Sequence, residues 1–278
     1  MTSLESIADE NVKSRFVDNP CRGIVLGMDP RCNLVQLAWI MGRSENSQNR
    51  VYVVEGSSVR TEAADPSKVK DPSLIIYNVM SESNGAHIVS NGDQTDTVAE
   101  LFAGEKPSVY GFERALGKRY CEPDVPVATP RITGFQVAGD ERAYLSILRC
   151  SGDARRLWVE TAGQFNEKDF KSKEEYFAAV QAKCGLDRNR MPTERHNFVK
   201  QLEPGFGYCF TTYRPGSKEL PSFEGEPFVV PVLDVVVDSM KNIFDRLDER
   251  WRVSICGKFI HKDGSSHAYE YNRFAKKL

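Results

Sequence analysis

The stretch "GIVLGMDPRCNLVQLAWIM", residues 23–41, decides the fold. Two apolar runs flank "MDPRCN", whose Asp, Pro and Asn are turn formers, and the whole reads as a β-hairpin. Working outward, "VYVVE" (51–55) is a further strand. "SLIIYNVM" (73–80) and "AHIVSN" (86–91) bracket the turn "SESNG". "RITGFQVAG" (131–139) and "AYLSILRC" (143–150) are joined by "DER". "ARRLWVETA" (154–162), "FGYCFTTY" (206–213) and "RWRVSICGKFI" (250–260) bring the expected strands to at least nine, mostly antiparallel because hairpins link them.

Helices are fewer. "TDTVAELFAG" (95–104) offers Thr97 and Glu100 at capping-box spacing, and "SKEEYFAAVQAKCG" offers Ser172 and Glu175 with Gly185 as its stop. A third helix is expected within 232–251, where Val236, Met240, Ile243, Phe244 and Leu247 recur at helical spacing. The fold class is therefore α+β, two stacked sheets with helices outside. Residues 1–20 read as a polar arm with one short helical segment, and 21–278 as a single domain. No G-x-G-x-x-G or Walker sequence is present, which argues against a Rossmann domain.

The 278 residues carry 37 Lys and Arg against 39 Asp and Glu, so broad electrostatic binding to nucleic acid is not expected, although a local cationic pocket is compatible. "RNRMPTERH" (188–196) is locally basic but lacks interleaved aromatics, and reads as a solvated loop. No apolar run reaches the ~20 residues of a membrane span, and the N-terminus lacks the apolar core of a secretory signal, which points to the cytoplasm. The seven cysteines form no C-x-x-C pair and read as reduced structural thiols. The four histidines show no zinc spacing, so no metal is expected. "HKDGSSH" (261–267) is a turn between the last two strands rather than a serine nucleophile site.

Four polar clusters stand out. "IMGRSENSQNR" (40–50) turns from a strand into hydrogen-bonding residues, and Arg43 and Arg50 there suit an anionic ligand. Tyr77 and Asn78 end an apolar run. In "VSNGDQTDT" (89–97), Asn91–Gly92 marks a tight turn before a helix start; Asp96 would repel phosphate and suits a sugar hydroxyl or base N–H. In "CEPDVPVATPRI" (121–132), three prolines stiffen an extended segment that projects Glu122 and Asp124 to one side, roughly 7 Å apart.

In this order, after "RGIVLG", the segments "GRSENSQNR", "YNV", "VSNGDQTDT" and "EPDVPVATPRI" resemble the archaeal-type inosine monophosphate cyclohydrolases and their bacterial relatives. The likeness runs through roughly residues 20–140 and returns at "GFGYCFTTYRPG" (205–216). The resemblance implies a four-layer αββα sandwich like that of the N-terminal-nucleophile hydrolases. It implies closure of 5-formamidoimidazole-4-carboxamide ribonucleotide to inosine monophosphate with loss of water, without metal or organic cofactor. By family alignment, Tyr77, Glu122 and Arg50 become the catalytic candidates. Arg22, Arg43, Ser44, Asn49, Asn78, Asn91, Gly92, Asp96, Asp124 and Arg131 become the substrate-binding ones, with Arg131 expected to hold Glu122 or Asp124. The implied partner is a purine ribonucleotide, and a homo-oligomer is an open expectation. Two alternatives stand beside this reading: a non-catalytic purine-nucleotide-binding relative, and an amide hydrolase whose nucleophile is Cys21, freed by cleavage after Pro20.

Overall fold

The computed structural model describes residues 3–69, 76–216 and 221–274. The 23–41 hairpin forms: β1 (Gly23–Met28) pairs antiparallel with β2 (Leu34–Met41). Its turn is held by the Asp29 carboxylate, which accepts from the Arg31 and Asn33 backbone N–H groups and from Asn33 Nδ2. Both strands are buried throughout because each face meets a different layer. Ile24, Leu26, Ala38 and Ile40 face the opposite sheet, whereas Val25, Val35, Leu37 and Trp39 face helices.

Around the hairpin, β10 (Phe206–Thr211), β11 (Phe228–Pro231), β12 (Arg252–Ile260) and β13 (Ser266–Asn272) complete a six-stranded sheet ordered β11-β10-β1-β2-β12-β13. The second sheet runs in chain order through β3 (Val51–Glu55), β4 (Ser58–Glu62), β5 (Asn78–Ser83), β6 (Ala86–Ser90), β7 (Arg131–Val137), β8 (Arg142–Cys150) and β9 (Thr193–Gln201). The sheets close on one another over a core that includes Leu26, Ile40, Ile132 and Leu145. The helices α1 (Leu4–Arg15) and α7 (Val236–Phe244) cover the first sheet; α3 (Gln94–Gly104) and α4 (Val109–Leu116) cover the second. Helices α5 (Gly152–Ala162) and α6 (Lys173–Cys184) pack around Trp158 together with Cys121, Val125 and Ala128. The result is a four-layer αββα sandwich.

The inter-sheet core contains a polar island. Gln36 donates to the His87 carbonyl and Gln136 to the Gly27 carbonyl, while the Lys258 ammonium, fully buried, has no hydrogen-bond partner among the described residues. Burial, helped by Lys258, lowers the His87 pKa to about 4; burial lowers that of Lys258 to about 8.

Several expectations are corrected. "ARRLWVETA" is the helix α5, because Ala154, Trp158 and Thr161 bury one helical face. Thr97 is not a cap: α3 begins earlier, at Gln94, and its N-cap Asp93 makes no side-chain cap bond, its carboxylate being taken by Arg119 and Arg131. The basic stretch 188–196 is a loop only in part, since Thr193–His196 open β9 along the edge of the second sheet. "SLIIYNVM" becomes a strand only from Asn78; residues 73–75 lie outside the described ones. Ser172 and Gly185 bound α6 as expected, Gly185 in the left-handed conformation. In the N-terminal segment, Val12 of α1 and Phe16 just beyond it bury against the first sheet, where the Phe16 ring meets Trp39 at 5.5 Å.

Candidate active site

At one end of the sandwich the chain enters β1, leaves β2, enters β3 through the short helix α2 (Glu45–Gln48), and approaches β7 through the 121–130 segment. These entries and exits enclose a cavity of about 370 Å³. Arg22, Arg43, Ser44, Arg50, Glu122 and Asp124 line it, together with Cys21, Asn46, Ser47, Thr129 and Tyr213.

Arg22 is its anchor. Its backbone is clamped by β10: the Arg22 N–H donates to Thr212 Oγ1, and the Thr212 N–H donates to the Arg22 carbonyl. Its side chain then crosses to the other sheet's elements, donating to Glu122 Oε2 at 2.6 Å and to the Asn91 carbonyl at 2.9 Å. Burial alone would pull the guanidinium's pKa down, but Glu122 leaves it raised well above its ordinary value, with Tyr77 acting in the same direction. Tyr77 is buried in the inter-sheet core, within electrostatic reach of Arg22, although it does not line the cavity. Arg50 is buried and gives its Nε–H to the Ser47 carbonyl at 3.0 Å; its guanidinium Nη groups make no hydrogen bond among the described residues. Arg43 is exposed at the rim, and Ser44 caps α2.

The 121–130 segment is not extended as its prolines led us to expect. It turns back: Asp124 accepts from Val127 and Ala128 through its carbonyl, and Glu122 N–H donates to the Thr129 carbonyl. The turn contains a cis Val125–Pro126 bond. Both Asp124 carboxylate oxygens are held by Thr129, from N–H and from Oγ1, each at 2.6 Å. Burial first, and Glu122 second, raise the Asp124 pKa to about 6 against those bonds. A carboxyl that titrates near neutrality beside a buried guanidinium–carboxylate pair is suited to proton transfer.

Other sequence candidates lie outside the cavity lining. Asn49 exchanges hydrogen bonds with the Asp65 backbone. Asn78 donates to Asp96 at 2.8 Å. Asn91 is a structural clamp: it donates to the Pro130 carbonyl and accepts from Ile132 N–H and Gln94 Nε2. A Cβ at Gly92 would meet Gln94 Oε1 and Arg131 Nη1, so a side chain there would displace the ends of those two residues. Arg131 does not hold Glu122 or Asp124; its guanidinium bonds Asp93, Gln94 and the Tyr120 carbonyl instead. The reason is position: Arg131 opens β7 on the side where α3 begins. Conversely, Tyr213 and Thr129 were not foreseen as cavity residues. Tyr213 lies within the "GFGYCFTTYRPG" stretch, and that was the signal available.

The sequence matches the family model described as "IMP cyclohydrolase-like protein" over residues 20–264. No curated protein matches the chain. A solved structure of Thiobacillus denitrificans BPH in complex with Epoxomicin aligns at 11% identity, covering 66% of this chain and 100% of that one, with a TM-score of 0.23. At that score it carries no weight here. No helix among the described residues is long and apolar enough to cross a membrane.

Proposed function

The chain belongs to the IMP cyclohydrolase-like family, and from that premise we propose that its cavity closes 5-formamidoimidazole-4-carboxamide ribonucleotide to inosine monophosphate. The observation that carries the reading is the Arg22–Glu122 pair, with side chains only 9% and 13% exposed, in one cavity with Arg43 and Arg50. The reaction joins the carboxamide nitrogen to the formyl carbon of the same molecule and releases the formyl oxygen as water. Nucleophile and electrophile are already tethered, so the protein has to select the reactive rotamer and manage protons.

In this reading Arg43 and Arg50 take the phosphate, for which guanidinium forks are suited. Glu122 receives the carboxamide proton as the C–N bond forms. Arg22, kept charged by Glu122, faces the oxygen that becomes negative at the tetrahedral stage. Tyr77 lies outside the cavity lining and contributes only to the electrostatic surroundings of Arg22. The test is to add the formamido substrate to purified protein and follow ring closure optically against the uncatalysed background. A wild-type rate equal to background refutes the reading, and binding of inosine monophosphate without turnover favours a non-catalytic nucleotide-binding relative.

Cys21 lines the same cavity, which is the observation favouring an amide hydrolase with an N-terminal cysteine. Freeing it would release residues 1–20, yet Phe16 is packed on Trp39 and Arg15 is paired with the buried Glu224. An intact mass that retains residues 1–20 eliminates this second reading.

A further inference from the structure

Asp124, Thr129 and Tyr213 form a continuous chain of hydrogen bonds that ends at the cavity. Thr129 Oγ1 lies 2.6 Å from Asp124 Oδ2, and the Tyr213 hydroxyl lies 3.1 Å from Thr129 Oγ1. Thr129 and Tyr213 are buried, yet both line the cavity. Each hydroxyl carries a single hydrogen, so the chain has two polarities. With Asp124 ionised, Thr129 donates to the carboxylate and Tyr213 donates to Thr129, which leaves only lone pairs of the phenol for a ligand. With Asp124 protonated, the direction reverses: Asp124 donates to Thr129, Thr129 donates to Tyr213, and the phenolic hydrogen is free to point into the cavity.

We propose that these three residues are a proton wire, with Tyr213 the catalytic donor that contacts the departing oxygen of the substrate and Thr129 and Asp124 positioning residues behind it. The inference rests on the cyclisation reading. In the step, the Asp124 O–H bond breaks and its proton passes to Thr129. The Thr129 proton passes to Tyr213, and the Tyr213 proton passes to the substrate oxygen, already a hydroxyl through the carboxamide proton relayed by Glu122; the C–O bond breaks, water leaves, and the formamide nitrogen forms C=N as its proton goes to Glu122 and on to solvent. Asp124 ends as a carboxylate and is reprotonated from solvent. The titration of Asp124 near neutrality supports this, as does burial of Tyr213, which raises its phenol pKa and keeps it protonated. The charged and titratable groups around the chain are Glu122, Arg22 and Cys121 beside Asp124, Cys21 beside Tyr213, and Arg155 near both. Among these, Arg155 Nε and Nη2 have no hydrogen-bond partner among the described residues.

The test combines kinetics with an activity-independent signal. In protein labelled with ¹³C at tyrosine Cζ, the Tyr213 resonance is identified by its loss in Tyr213→Phe. It is expected to shift with a midpoint near pH 6 in wild type and in Thr129→Ser, and to lose that midpoint in Thr129→Val and Asp124→Asn. In ring closure, Tyr213→Phe and Thr129→Val are expected to lower kcat by about 10²-fold with KM within about threefold, while Thr129→Ser stays near wild type. A midpoint that persists in Thr129→Val, or a Thr129→Val kcat equal to wild type, overturns the wire. If wild type closes no ring, the cyclisation reading fails, and the resonance still decides whether the wire exists.

Discussion

Replacing both members of the Arg22–Glu122 pair with apolar residues is expected to hurt stability less than replacing either one. The two charges are 2.6 Å apart, and their side chains are 9% and 13% exposed. At an effective dielectric constant near 20, attraction at that distance is about 6 kcal/mol. Withdrawing each ion from water opposes it by several kcal/mol, so the intact pair is close to neutral for folding. Removing one partner leaves the other buried and uncompensated, a loss of roughly 3–5 kcal/mol. Arg22→Met also removes the bond to the Asn91 carbonyl, worth about 1 kcal/mol. Arg22→Met and Glu122→Leu should therefore each lower the unfolding free energy by about 4 kcal/mol, and the double variant by about 1 kcal/mol. Urea unfolding of the four proteins measures this as a double-mutant cycle with a coupling of several kcal/mol. Ring closure should be lost in all three variants, whatever their stability. Additive single costs would refute the argument that the pair is buried and balanced.

Lys258→Met should stabilise the protein at pH 7. A folded pKa of about 8 against 10.5 penalises folding by about 3 kcal/mol below pH 8, and the penalty vanishes as pH rises through 10.5. Unfolding at pH 7 and at pH 11 checks both the gain and its disappearance. His87 acts in the same sense at lower pH: buried neutral with a pKa of about 4, it should remove about 3 kcal/mol of stability as pH falls from 6.5 through 4. His87→Gln should flatten that limb in chemical denaturation, and an unchanged limb would assign it elsewhere. Arg50→Lys should raise KM for the ribonucleotide by at least about tenfold with a smaller effect on kcat, because a single ammonium cannot replace the fork; steady-state kinetics separates the two.

The strands were legible where turn chemistry separates apolar runs, as in residues 23–41, because both signals are local. α5 was not, because "ARRLWVETA" is short and apolar enough to fit either period; the layer it covers decides. β9 hid behind alternation of half-buried and exposed polar residues at a sheet edge. In the site, Arg43 and Arg50 advertised an anion by residue type alone, and the carboxylate of Glu122 advertised proton chemistry. The asparagines are harder to read, because an amide that reads a ligand and one that ties backbone together look alike in sequence. Asn91 uses both ends of its amide on Pro130, Ile132 and Gln94. Tyr213 reaches the cavity only because β10 pairs with β1, residues nearly two hundred positions apart, and no local pattern encodes that register.

Two of the three buried lysine and arginine side chains among the described residues separate folding from chemistry. Lys258 and Arg22 both lie on the first sheet or at its edge and both extend toward the second. Lys258 has no hydrogen-bond partner among the described residues and is compensated only at a distance, by Glu82. Arg22 has two direct partners, and through Glu122 and the Asn91 carbonyl it ties the start of β1 to the elements that precede β7 and α3. A pair of leucines in the same place would join the layers nearly as firmly, since burial of apolar surface requires no balancing of charges. What leucines would lack is a fixed positive charge with a carboxylate 2.6 Å away at the wall of a cavity. The charge at Arg22 therefore has its explanation in what enters the cavity, and the stability of the double apolar variant is the quantity that separates that explanation from a structural one.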